Sequence, residues 1–126
     1  MTLQCTYDVM GWNENSLIEL TAPNKFSRAE VKRQHSGRLV GAETLTYTLA
    51  YRDEHTSVFV GMGVLTGSFD GRDGPYCVTE RGQFENGIVT AEMAVHRLNG
   101  DDKLSEPLAT GSYTASMGES VSYTLD

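Results

Sequence analysis

A chain of 126 residues holds one domain with room for a real core, and 39% hydrophobic with 21% charged residues describes a globular protein, not a disordered one. Its net charge of −7 argues against nucleic acid or an anionic membrane surface as partner, and no apolar run approaches the ~20 residues of a membrane helix. The excess of acid is uneven: seven acids face six bases over residues 1–60, and ten face four over 61–126.

The start, "MTLQCTYDVMGW", lacks the basic head and apolar centre of a signal peptide. Two cysteines, Cys5 and Cys77, make no disulfide framework, so a reducing cytoplasm is the expected compartment. "LQCTYDVMGW" reads as a first strand, with Cys5 and Tyr7 on the face of Leu3 and Val9. "NENSLIELTAPNK" reads as a long connection. "FSRAEVKRQHSGRLVG" is expected as one long strand bent near Ser36–Gly37, with Arg33 and His35 in phase with Ala29 and Val31. The basic group Lys25, Arg28, Lys32, Arg33 and Arg38 reads as a solvated strand face in preference to an anion site.

"ETLTYTLAY" alternates cleanly, Leu45, Tyr47, Leu49 and Tyr51 against Thr44, Thr46, Thr48 and Ala50, and extending the apolar phase backwards collects Glu43. "RDEHT" is a hairpin loop returning into "SVFVGMGVLTGSF". There Val58, Val60, Met62 and Val64 share one face; Phe59, Gly61, Gly63, Leu65 and Phe69 share the other, glycines allowing the coiling a barrel strand needs. "DGRDG" is a turn, "PYCVTERGQF" a strand with Glu80 in phase with Tyr76, Val78 and Phe84, and "ENG" a tight turn. "IVTAEMAVHRL" alternates again, "NGDDKLSEP" is a polar loop, and "LATGSYTAS" and "SVSYTL" close the chain, joined by "MGE". About eight antiparallel strands and no helix result, in one domain over 1–126. Even turn spacing favours a barrel or sandwich, and short hairpins favour an up-and-down meander.

Several pieces in this order, "YDVMGWNE", "SRAEVKRQHSGRLVGAETLTYTLAYR", "FVGMGVLTGSFDGRDG", "GQFENG" and the final "SYTLD", resemble an uncharacterised bacterial family of small domains grouped with allene-oxide-cyclase-like, calycin-like barrels. The resemblance covers nearly the whole chain. It implies an all-β, closed, eight-stranded antiparallel meander barrel that self-associates as a dimer or larger homo-oligomer, with no established reaction; cyclase activity is not implied. Many members carry a histidine where this chain has Thr79 or Glu80, so no shared active site is implied either.

The glycine-rich stretch Thr66–Gly87 is read as hairpin punctuation. A phosphate loop would need Lys-Ser/Thr and a following helix, and in "DGRDG" Arg72 interrupts any calcium-ligand spacing. His35, His55 and His96 fall on different elements, and no cysteine cluster accompanies them, so neither metal nor cofactor is expected. Trp12 reads as a core plug or a lid at the barrel mouth.

Polar residues on apolar faces carry the functional reading. If those faces all point inward, Glu43, Glu80, Arg33, His35, Tyr7, Tyr47 and Tyr76 share one lumen. Ionisable groups are costly there unless paired or used. The first reading is a barrel gripping a small, partly apolar ligand with Tyr47, Tyr76, Glu43 and Arg33. The second is an isomerase or cyclase in which Glu80 or Glu43, desolvated and raised in pKa, is the base, with Arg33 or Tyr47 steadying an oxyanion. The third is a structural module that self-associates through its outer face. Against the first two stands the plain alternative of structural ion pairs with Arg33 and Arg81.

Overall fold

Strands that alternate apolar and polar residues must bury one face, and a sheet can do so by curling over on itself. In a computed structural model describing residues 2–101 and 103–126, this chain does so. Met1 lies outside the described residues, as does Asp102 in the polar loop expected over 99–107. The strands are β1 (Leu3–Glu19), β2 (Lys25–Gly37), β3 (Leu39–Asp53), β4 (Thr56–Phe69), the two-residue β5 (Arg72–Asp73), β6 (Tyr76–Glu85), β7 (Ile88–Arg97), β8 (Ala109–Ser116) and β9 (Val121–Leu125). All pairing is antiparallel, in the spatial order β8-β7-β6-β4-β3-β2-β1-β9, with β5 paired only to β4. Thr110 and Asp126 exchange backbone hydrogen bonds of 3.1 and 2.9 Å where β8 meets the end of β9, bringing the eight long strands nearly to closure. Among the described residues there is no helix long and apolar enough to cross a membrane.

Two expectations are corrected. Residues 13–19 are not a connection: β1 runs on to Glu19, paired with β2 to its end. Beyond Tyr7 it has no partner on its other side, because β9 pairs only with Leu3–Tyr7. Register shifts at Val9/Gly11 and Ser16/Ile18 move the side-chain phase. A ribbon paired on one edge, exposed on both faces and twice bulged has no alternation to read. Residues 26–41 are not one bent strand either. The chain reverses at Gly37–Arg38, and β2 pairs with β3 from Lys25↔Tyr51 to His35↔Gly41. Gly37 has φ +99°, and a Cβ there would stand 2.5 Å from the Gln4 carbonyl oxygen, so this bend suits glycine alone.

The "ENG" turn forms as expected, Asn86 and Gly87 both at positive φ. Toward the β2–β3 turn the lumen is filled by Leu39, Leu45, Leu65, Val78, Val95 and Leu125, all fully buried, with a recess of about 230 Å³ beside Phe69, Tyr76 and Leu108 at that end. The other end, at the β3–β4 and β6–β7 hairpins, is open.

Candidate functional site

Midway along the lumen, strand parity delivers the ionisable residues to one place. Arg33, His35, Glu43 and Glu80 are all at least 96% buried. Arg33 Nε donates to Glu43 Oε1 (2.5 Å) and Nη1 to the Tyr47 hydroxyl (3.3 Å). Its Nη2 faces Glu80 Oε2 at 2.5 Å as an ion pair without hydrogen-bond alignment. His35 bridges Glu43 Oε1 (Nε2, 2.8 Å) and the Tyr123 hydroxyl (Nδ1, 2.6 Å). Tyr47 and Tyr113 both donate to Glu80 Oε1, at 3.0 and 2.6 Å, and Tyr7 donates to Tyr113 at 2.9 Å. The guanidinium carbon lies 4.3 Å from the centroid of the Tyr7 ring, a cation–π contact.

These contacts set the titration of the group. Burial works against the charge on Arg33, but Glu80, Tyr47 and Glu43 outweigh it and hold the guanidinium protonated. Burial likewise pushes Glu43 up, yet the His35 hydrogen bond and Arg33 overcome it and keep this carboxyl below its ordinary value. The raised carboxylate expected of a general base is therefore not found at Glu43. Burial pushes the Tyr7, Tyr47, Tyr113 and Tyr123 phenols up.

Above this cluster opens a cavity of about 230 Å³. Arg33, Tyr7, Tyr47 and Tyr113 form its floor; Leu49, Phe59, Phe84 and Val89 are among its walls. Tyr47 occupies its position because Gly61 opposite has no side chain: a Cβ there would lie 2.5 Å from the Tyr47 ring. Ser57, 1% exposed, lines the wall, and its Oγ has no hydrogen-bond partner among the described residues. Trp12, 45% exposed, stands at the mouth 5.9 Å from the Tyr47 ring, the lid of the two roles expected for it.

Sequence parity missed Glu14 altogether. Carried on the part of β1 read as a connection, its carboxylate accepts from Ser27 Oγ (2.6 Å), Tyr51 hydroxyl (2.6 Å) and Trp12 Nε1 (3.0 Å), and lines the mouth. Burial raises this carboxyl, but the three donors outweigh it and hold it below its ordinary value. The bulge at Val9/Gly11 is what turns it inward, and no sequence pattern announces a bulge.

Of the expected site residues, Arg33, His35, Glu43, Glu80, Tyr7 and Tyr47 lie together. Tyr76 does not. It is buried in the packed end against Phe69, its hydroxyl donating to the Arg72 carbonyl at 2.5 Å. Arg81 points outward and pairs with Glu92, so it neutralises neither buried carboxylate. Cys5 is buried and Cys77 half-buried, both free. Among the described residues no group of three His, Cys, Asp or Glu is placed to hold a metal ion.

Charge pairing inside, a cavity above and a half-open mouth define a small β-barrel with a polar-floored lumen. The chain belongs to the family described as "Protein of unknown function (DUF3224)", which it matches over residues 3–126. No curated protein matches it.

Proposed function

We propose that the barrel binds a small, partly apolar molecule in the upper lumen, against Tyr7, Tyr47 and Arg33. One observation carries this: at the β3–β4 end the lumen opens into a cavity over a floor of buried polar groups. At about 230 Å³ the cavity falls below the ~300–1,000 Å³ of drug-sized sites, so the ligand is small. A general-base role for Glu43 is opposed by its lowered pKa. Glu80 is engaged by Tyr47, Tyr113 and Arg33. Binding is therefore favoured over isomerisation. Kinship with allene-oxide-cyclase-like barrels, a bacterial origin and a cytoplasmic location belong to the same proposal, on the support of sequence resemblance, strand number and free cysteines.

Melting curves against a panel of small amines, alcohols and acids with apolar bodies test it. A ligand at a hundredfold its Kd should raise Tm by about 10 °C. Leu49→Trp, which fills the cavity, should abolish the rise. A rise unchanged in Leu49→Trp would place binding outside the lumen.

A second reading, self-association, has its own observation. Val58, Val60, Met62 and Val64 stand exposed in a row on the outer face of β4. Beside them the wall forms a shallow, solvent-open depression of about 730 Å³ that includes Val60, Met62 and Ala94. Its lining also includes the outward Arg81 and Glu92 and the inward Glu80 and Met93. Exposed apolar rows of this kind are what a second copy covers. Light scattering reporting a monomer at every concentration would remove this reading.

A further inference from the structure

Resting on the reading of the lumen as a binding site, we infer that its ligand is an organic cation: a small amine in its ammonium form, attached to an apolar body. The direction of the hydrogen bonds carries this. A carboxylate only accepts, so Tyr47 and Tyr113 must both point their protons at Glu80, and Tyr113 can then only accept from Tyr7. Arg33 is turned the same way, with Nε on Glu43, Nη1 on Tyr47 and Nη2 facing Glu80. The phenol protons of the floor are thus spent on one another and on Glu80, Nη2 of Arg33 is turned toward Glu80, and the phenol oxygens keep lone pairs free to accept. At the mouth Glu14 takes three donors, leaving it one lone pair of the roughly four a carboxylate offers. The orphan hydroxyl of Ser57 can accept as well. A site rich in acceptors is completed by a ligand that donates.

Charge points the same way. Glu14 and Glu54 line the cavity, and Glu43 and Glu80 lie in or under its floor. Arg33 within and Lys25, 4.7 Å from the Tyr51 ring centroid at the rim, are the bases that face them. With His35 neutral the group carries two uncompensated negative charges, and with His35 protonated still one. An anionic ligand would meet Glu14 and Glu54 on entry and find Arg33 already shared by two carboxylates. An ammonium meets instead the rings of Trp12 and Tyr47, which line the cavity and whose π systems attract a cation.

Trp12 is the chain's one tryptophan, so its emission reports the mouth alone. Titrating with 2-phenylethylammonium, 3-phenylpropanoate and 2-phenylethanol at pH 7 compares charge on one apolar body. The ammonium should bind about tenfold tighter than either other probe. Added salt should weaken it and leave the alcohol unmoved. Glu14→Gln should close the gap. Glu54→Gln, on the exposed rim, should narrow it two- to threefold and decides the matter if Glu14→Gln does not fold. The propanoate or alcohol binding as tightly as the ammonium would overturn the inference while leaving the lumen as the site. If no probe alters Trp12 emission or Tm, both the inference and the lumen reading fall.

Discussion

Arg33 is the residue on which the interior turns. It sits among Glu43, Glu80, Tyr47 and the ring of Tyr7 with 2% of its surface exposed. Replacing it by Met leaves two carboxylates in a dry core, and breaking a buried pair in this way costs about 3–5 kcal/mol. Glu43→Gln should cost less, because Glu80 still answers Arg33. The pH dependence has a definite sign. Glu43 and Glu14 are held low in the fold, so the unfolded chain binds more protons near their ordinary value of 4.5. Wild-type stability from these groups is thus intact at neutral pH and is lost as pH falls through that value toward the lower folded ones. In Arg33→Met the orphaned carboxylates take up protons readily, so its deficit against wild type should shrink as pH falls. Urea unfolding at pH 7 and pH 4 measures both. A deficit equal at the two values would show that charge pairing is not what Arg33 supplies. At this scale the sequence was legible wherever a strand kept its phase: Glu43, Glu80, Arg33 and His35 all fall on the predicted face. Tyr76 kept its phase too and still missed the cluster, since parity chooses a side of the wall and says nothing of height along it.

Among the elements, β3, β4, β6 and β7 declare themselves because each is paired on both sides and buried on one, which forces alternation. β1 hides itself past Val9, where bulges and a missing neighbour erase the pattern. With it hides Glu14, the one mouth carboxylate no phase argument reaches. The β2–β3 reversal reads as a bend in the sequence because Ser36 and Gly37 stand alone, without the usual two-residue turn pair. β4 has the opposite character: both its faces are legible, and the outer one is apolar. Its neighbours across the ladder are Thr44, Thr46 and Thr48 on β3 and Thr79, Arg81 and Gln83 on β6, and the one charge among them, on Arg81, is paired with Glu92. Met62, 62% exposed, lies near the middle of that row. Met62→Lys should therefore shift the light-scattering mass toward the monomer and leave Tm within about 2 °C, the substituted side chain being on the surface. Assembly that survives the lysine would move the interface off β4.

For the whole molecule, sequence order and spatial order nearly coincide, as in a meander, and among the described residues only the β1–β9 pairing joins distant parts of the chain. That one long-range pairing brings Tyr113 of β8 and Tyr123 of β9 against Tyr7 of β1, so the floor of the lumen exists only when the barrel has closed. Fold alone does not select a ligand; the selection lies in what the closed wall leaves unfilled. Methyl-resolved NMR during titration with 2-phenylethylammonium asks this most directly, because lumen and outer wall carry different methyls. Shifts should concentrate at Val31, Leu49 and Met117, which line the cavity, and spare Val60 and Met62 outside. Shifts confined to Val60 and Met62, with the lumen methyls unmoved, would contradict binding inside the barrel.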